Sequence, residues 1–485
     1  MTAAALKKVF GAALTVRLVE SEEIGTVGVG EATVPHLSFF NKLLEIDEVE
    51  FVRQTKGTFK LGIQFNDWAR IGDSYVHGFG TAIGHDLGML PFHQYWIRAY
   101  KARRAKEIGA YTLNTLAAPR GKFMASPIDA PPNTPLANIA YAYHFDAGLY
   151  AQYLRRYAEA RGAQRTEGKI RDVRLQGGDG FVRSVVLENG TVIEGDLFVD
   201  CSGFRGLLIE EALHTGYEDW THWLPCDRAL AVPCERVGPP TPYTRCTARA
   251  AGWQWRIPLQ HRTGNGYVYS SLYISDEEAA LTLLKNLDGR PLGDPRKLRF
   301  TAGRRKQIWN RNVVAIGLSG GFIEPLESTS IFLIQSSIMR LCQLFPDNGI
   351  SRVVVDRFNA QATFEVERIR DFIIMHYCAT ERNDSPFWNY CRGMDIPHSL
   401  RETIALFRDS GRYYRNAEEM FGLVSWVEVM LGQRIMPAGY HPLVDQLSDE
   451  ELDKYIGHVE SVIATCVDAM PMHQAFIDRF CKAPP

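Results

Sequence analysis

The spacing of apolar and polar positions changes period several times along the chain, and each change marks an element. Residues 3–10 place apolar side chains at helical spacing and stop at Gly11, after which Leu14-Thr15-Val16-Arg17-Leu18-Val19-Glu20 reads as a strand ending in an acid. Helix followed by strand is the second half of a dinucleotide-binding unit, in which the acid closing the strand, Glu20, accepts ribose hydroxyls. Residues 58–65 alternate as one strand, with Leu61 and Ile63 on one face and Lys60 and Gly62 on the other. Residues 168–203 form a predicted meander with turns at Gly178-Asp179-Gly180 and Asn189-Gly190. It ends in Asp196-Leu197-Phe198-Val199-Asp200-Cys201, a buried strand opening into the small turn Ser202-Gly203. In Trp253-Gln254-Trp255-Arg256-Ile257-Pro258 the alternation sets both indoles on one strand face, and Pro258 closes the ladder. From about Ile331 onward the sequence is helical and rich in aromatics. The expected class is α/β (α+β): a Rossmann-like unit, a meander and a large sheet over residues 1–330, then a mainly helical region over 331–485.

Composition narrows the function. The chain has 485 residues, 46% of them hydrophobic, and its 54 basic and 56 acidic residues leave a net charge of −2. No concentrated basic field is present, which excludes nucleic acid or a membrane surface as the main partner. Arg304-Arg305-Lys306 is the densest basic run and is expected at a solvated strand end. Nine cysteines without a C-x-x-C pair suggest neither a disulfide framework nor a zinc site, and point to a reducing, cytoplasmic setting. The thirteen histidines lack the H-E-x-x-H spacing of a bound metal. The apolar start around Val9–Leu14 has the look of a signal peptide, but Arg17 cuts it and no cleavage site follows.

Four segments carry candidate chemistry. Gly25-Thr26-Val27-Gly28-Val29-Gly30-Glu31-Ala32-Thr33-Val34-Pro35 is a glycine-spaced loop that lets backbone approach a flat cofactor. Lys60 lies in an apolar strand; such a lysine is usually a solvated stem, but burial would lower its pKa and leave a nucleophilic or hydrogen-bond-donating nitrogen. Ser328 and Thr329 are good N-cap residue types, so the helix they open offers amide groups and positive dipole to an anion. Glu324 and Glu327 stand just before it, two acids three apart, a spacing also common in an ordinary helix first turn. His77 and Phe79, two apart, can wall an aromatic ligand, or His77 can be a satisfied core histidine.

Taken together, Trp253-x-Trp255-x-Ile257-Pro258, Gly28-x-Gly30-Glu31-Ala32-Thr33-x-Pro35, the Lys60 strand and Gly320-Gly321-Phe322-Ile323-Glu324-Pro325-Leu326-Glu327-Ser328-Thr329-Ser330-Ile331 resemble the flavin-dependent halogenases of the tryptophan halogenase family. The resemblance implies the two-domain FAD-binding fold of the aromatic hydroxylase type. It implies FAD, used as FADH2 from a separate flavin reductase, held by Glu20, Gly28, Gly30, Glu31, Ala32, Thr33, Ser202, Gly203, Gly317, Ser328 and Ile331. By the same resemblance the amides of Thr329 and Ser330 hold chloride or bromide. Hypohalous acid then meets Lys60, which forms a haloamine or hydrogen-bonds the oxidant. Glu327 accepts a proton from a small aromatic substrate such as indole, His77 and Phe79 stack on that ring, and Glu324 is structural. Trp253 and Trp255 part the flavin and substrate compartments. A homodimer is compatible with the family.

Three departures matter. Ser330 stands where the better-known tryptophan halogenases carry glycine. Ser425-Trp426-Val427-Glu428-Val429 replaces the Asn-Tyr-Tyr segment that binds the amino-acid carboxylate, so free tryptophan is not the expected substrate, while Trp426 can close over a plain indole, an indole derivative or a larger aromatic. The Gly-rich phosphate turn would precede Met1, with Met1-Thr2-Ala3-Ala4-Ala5-Leu6 as its continuation, which implies an upstream segment. Two rival readings follow: an FAD-dependent aromatic monooxygenase, which needs neither Lys60 nor the tryptophan pair, and a flavin-poor, inactive chain.

Overall fold

The computed structural model describes residues 1–484 apart from 25–29, 128–129, 131, 133, 348 and 417. The opening helix, Thr2–Phe10, stops at Gly11 with φ 53°, and Arg17–Glu20 pairs in parallel with Gln164–Glu167. The meander is present as Ile170–Leu175, Val182–Leu187 and Val192–Glu194, paired antiparallel in that order. Phe198–Asp200 runs parallel to Val313–Ala315. The meander and the Val313–Ala315 strand share an apolar core that includes Val182, Val185, Leu187, Ile193, Val313 and Ala315.

The largest sheet among the described residues has seven strands. Its strands lie in the order Arg296–Arg299, Arg228–Cys234, Thr263–Tyr269, Gly252–Pro258, Thr244–Arg249, Gly62–Asn66, Ser74–Gly78. All neighbours are antiparallel except Thr244–Arg249 with Gly62–Asn66. The tryptophan strand is central, and its indoles need room. Opposite Trp255 lies Gly266 and opposite Ile257 lies Gly264; a Cβ on Gly266 would overlap the Trp255 ring.

One strand departs from the pattern. Residues 58–65 are not a single alternating strand: Thr58–Lys60 pairs with Ala142–Phe145, and after Leu61 the chain enters the large sheet as Gly62–Asn66. Leu61 donates its N–H to Pro242 and accepts from Phe79, so it belongs to neither ladder. The cause is close approach, since any side chain at Gly62 would strike the backbone of His77 and Gly78. The switch turns Lys60 inward, away from the large sheet.

The C-terminal third is helical, as the pattern predicts. The main elements are Ser330–Gln343, the long Arg352–Cys378, Leu423–Gly432 and Asp449–Ala469. The inner half of Arg352–Cys378 is buried on every face from Ile369 to Tyr377, so it packs as a core element rather than an amphipathic one. Arg304 and Arg305 correct the expectation of a solvated strand end. Both are buried, Arg304 bonded to Glu218 and Glu367 and Arg305 to Glu210, because the partners needed to offset a buried guanidinium come from distant segments. Among the described residues no helix is long and apolar enough to cross a membrane, and no cluster of side chains could hold a metal ion.

Candidate active site

Lys60 ends its strand with its side chain fully buried. Nζ donates to the carbonyl of Thr33 at 3.0 Å and to Ser328 Oγ at 2.8 Å, and lies 5.1 Å from the centre of the Phe79 ring. Burial pulls its pKa down to about 7, against the opposing charge of Glu327. The lysine is thus a dry amine held by two acceptors. Thr33 is itself fixed, exchanging hydrogen bonds with the Tyr143 backbone through both its amide and its hydroxyl.

Ser328 adopts φ 60°, a left-handed conformation that costs energy for a residue with a Cβ. The strained turn aims its hydroxyl at Lys60 instead of the helix behind it. Thr329 occupies the N-cap of Ser330–Gln343 but makes no side-chain cap, and its Oγ1 is buried without a hydrogen-bond partner. Side-chain capping, expected from the residue types, is therefore replaced by a helix start whose hydroxyl and first amides remain for another acceptor. Ser330 opens the helix and Ile331, part-buried, follows it.

Glu327 is fully buried between two imidazoles. His77 Nδ1 lies 2.9 Å from Oε2, and His376 Nε2 lies 2.9 Å from Oε1, without the alignment of a full hydrogen bond. Burial alone would raise this carboxyl, but the two histidines outweigh it and hold the group well below the usual range, at about 2. The same contact raises His77 against its own burial. Glu324 is likewise buried but serves the core: it accepts from Trp253 Nε1 at 2.9 Å and from the Tyr377 hydroxyl, and burial pushes it up to about 7. Trp253 is a core residue, 6.0 Å centre to centre from the half-buried Trp255 on the same face.

The aromatic wall differs from a simple pair of plates. His77 and Phe79 meet edge to face at 6.3 Å and 77°. Phe372 and Phe421 stack on each other at 3.9 Å beside His77, and Trp426 touches Phe372 edge-on while stacking on Tyr413. Trp426 thus stands one ring behind His77. It lines a cavity of about 200 Å³ that opens past Tyr413, Glu419 and Arg368.

Glu428, two residues on from Trp426, pins the wall. Its carboxylate accepts from the Gly78 amide and from Thr115 Oγ1, each at 2.7 Å. Burial lifts its pKa to about 6, partly offset by His77 and these donors. A folded pKa above the ordinary 4.5 means that folding favours the neutral acid, so its stabilising contribution is complete below pH 4.5 and is lost as pH rises through about 6. Glu428→Gln keeps the shape without the charge. It should unfold with a free energy about 2 kcal/mol higher than the parent at pH 8 and equal to it near pH 4, read by denaturant titration.

At the end of strand Arg17–Glu20, Glu20 is held through Oε1 by Arg165 at 2.6 Å and Arg155 at 3.4 Å. Glu31 and Ala32 form a short strand against Ala142–Phe145, preceded by Gly30 at φ 127°. Gly28 lies outside the described residues. Ser202 Oγ accepts from the Leu207 amide at 2.7 Å; Gly203 at φ 75° faces open space, and Gly317 at φ 81° abuts Ile334.

Thr33, Lys60, Ser328, Glu327 and His77 therefore meet at one place, drawn from segments up to 343 residues apart once His376 is counted. His376, Tyr75, Phe372, Phe421, Thr115 and the role of Glu428 were not identified from sequence. The one available signal was a histidine inside the apolar helical run Phe372-Ile373-Ile374-Met375-His376.

A buried amine at a strand end, a buried carboxylate bracketed by two imidazoles, an aromatic wall and an open helix start together make an enclosed polar site suited to an aromatic ring and an anion. The tryptophan halogenase family model matches residues 1–449, and the chain belongs to that family. A solved flavin-dependent halogenase from Xanthomonas campestris is 48% identical, superposes with a TM-score of 0.96, and covers 100% of this chain and 96% of its own. The flavin-dependent halogenase BrvH from Brevundimonas sp. BAL3 is 45% identical with a TM-score of 0.95, covering 100% and 96%. The tryptophan 6-halogenase SttH of Streptomyces toxytricini is 37% identical over 426 residues, 83% of this chain and 80% of its own. The chain is thus a flavin-dependent halogenase, an oxidoreductase of a family that draws reduced flavin from a separate reductase and acts on aromatic substrates. The comparisons support the halogenase reading, and neither rival gains support from them.

Proposed function

We propose that this enzyme uses FADH2, O2 and chloride or bromide to halogenate an electron-rich ring such as indole. The observation that carries the reading is the pairing of a dry amine with an ionised carboxylate on adjoining segments, Lys60 bonded to Ser328 and Glu327 the residue before it. The residues present fit a flavin. Gly203, at positive φ and facing open space, leaves backbone bare for a flat ring, which Gly30, Gly317, Ser202, Ser328, Ile331, Glu31, Ala32 and Thr33 would help to hold. Glu20 suits the ribose, its carboxylate steadied by Arg165. When bound, the reduced flavin supplies, with O2 and halide, the hypohalous acid.

The chain's own groups do the rest. The unpartnered Thr329 Oγ1 and the amides of Thr329 and Ser330 hold the halide at the positive end of a helix. As a free amine, Lys60 spends both N–H groups on Thr33 and Ser328, which leaves its lone pair for the electrophilic halogen. His77 and Phe79 hold the ring, and Glu327 takes the proton lost from the halogenated carbon. Trp253 and Trp255, in the seven-stranded sheet, separate ring from oxidant. Trp426 and the cavity beyond it accommodate a ring substituent, and the absent carboxylate-binding segment argues for a substrate other than free tryptophan. All nine cysteines are free thiols, which suits the cytoplasm.

The test supplies the enzyme with FAD, a flavin reductase, NADH, bromide and indole, and reads products by mass spectrometry. Monobromoindole is the expected product. Hydroxyindole in its place would overturn the reading in favour of oxygen transfer.

A further inference from the structure

Glu327 has no conventional donor network of its own backbone; what surrounds its two oxygens is imidazole on each side. His77 belongs to the substrate wall. His376 comes from the long helix Arg352–Cys378 and meets that wall only through the edge of Phe372. Its ring is clamped: Phe65 stacks on it at 4.7 Å and 25°, and Phe372 and Trp68 meet it edge-on. Its Nδ1 lies 3.2 Å from the Tyr75 hydroxyl, and its carbonyl accepts from Gln433 Nε2 at 2.9 Å. Tyr75 in turn stacks on Phe65 and presses on Gly432, where any Cβ would overlap its ring.

The hydrogen positions follow from this arrangement. Two acceptors cannot face each other at 2.9 Å in a dry site, so a proton lies between His376 Nε2 and Glu327 Oε1. With that N–H directed at the carboxylate, Nδ1 is the acceptor and Tyr75 donates to it. Tyr75 thus donates to His376, whose other ring nitrogen faces Glu327 Oε1, while His77 faces Oε2.

We propose that His376, itself fixed by Tyr75, is a positioning residue for Glu327 that keeps the carboxylate ionised and aimed at the ring. The proposal rests on the reading of Glu327 as the proton acceptor. The acceptance step is a plain proton transfer: the ring C–H bond breaks, its electron pair restores aromaticity, and the new O–H bond forms on Glu327. Without His376, only His77 opposes the burial of Glu327, and the carboxyl takes up its proton at a higher pH than in the parent. The other titratable groups facing the pair are His77, Lys60, Tyr75 and Cys246, with Glu428 beyond His77.

Three variants test this: His376→Leu, His376→Gln and Tyr75→Phe. For indole bromination, His376→Leu should lose about tenfold or more in kcat and gain a second acid limb above pH 4.5, which steepens the single limb that Lys60 gives the parent below pH 7, while hypobromous acid caught by an amine trap is unchanged. His376→Gln, which restores an N–H donor, should recover most of the loss, and Tyr75→Phe should move the limb in the same direction by less. The acid-unfolding midpoint, which needs no catalysis, should rise in His376→Leu and return toward the parent value in His376→Gln. The proposal fails if His376→Leu keeps the parent pH profile, if the two His376 variants lose equally with no change of limb, or if trapped hypobromous acid falls with them. If His376→Leu does not fold, Tyr75→Phe decides, and an unchanged profile overturns the idea. Should the parent show no halogenation at all, the proposed function fails, and the acid-unfolding series still reports on His376 by itself.

Discussion

Lys60→Ala is expected to lower ring bromination by at least about 100-fold, with hypobromous acid still formed and released to an amine trap. The amine sits with no solvent contact, and both hydrogen-bond acceptors are in place. Because burial brings its pKa to about 7, the halogenation rate should climb as pH passes through 7 and the free amine becomes the main form. A rate that falls through the same pH would assign the ammonium as a hydrogen-bond donor and reject the lone-pair role. Lys60→Met separates chemistry from folding. The folded pKa lies below the ordinary 10.5, so folding favours the neutral amine; the stability that form contributes is complete above about pH 10.5 and is lost as pH falls through 7. At pH 7 the lysine is thus a burden on the fold, and Lys60→Met should show no drop in Tm while activity disappears. Retained bromination in either variant removes Lys60 from the mechanism.

Glu327→Gln should cut kcat for indole bromination by about 100-fold with hypobromous acid formation intact, since the amide fills the same space and cannot take the ring proton. Its structural effect has a definite sign. The folded pKa of Glu327 is depressed to about 2, so the carboxylate stabilises the fold above pH 4.5 and that contribution is lost as pH falls through about 2. The variant should therefore melt below the parent at pH 7 and converge with it in strong acid. Equal melting at pH 7 would contradict the bracketing by His77 and His376. Equal bromination would move the proton-accepting role elsewhere.

Much of the site was legible in the sequence wherever a local rule was at work. The Gly11 helix stop, the meander turns and the paired indoles are short-range signals, and each is found where expected. Lys60 and Glu327 were readable through the segments around them. The alternation at 58–65 misled, because the sheet switch at Leu61 is set by the approach of strand Ser74–Gly78 to Gly62, which no window of eight residues contains. Capping by Thr329 failed for a similar reason: the left-handed Ser328 turns toward Lys60, some 270 residues away. The buried pair Arg304 and Arg305 looked solvated, since their acids lie at Glu210, Glu218 and Glu367.

By itself, then, the sequence determined the family and most element types and singled out Lys60 and Glu327 as candidates, because these depend on residue identity and short spacing. Tertiary structure decided their state. It buries Lys60 until its amine is free near neutrality, sets His77 and His376 about Glu327 until the carboxylate cannot hold a resting proton, and ties the substrate wall to Glu428. The reason is physical. Ionisation in a dry site is governed by desolvation and by charges within a few ångströms, and those neighbours come from strands and helices that only the folded chain brings together.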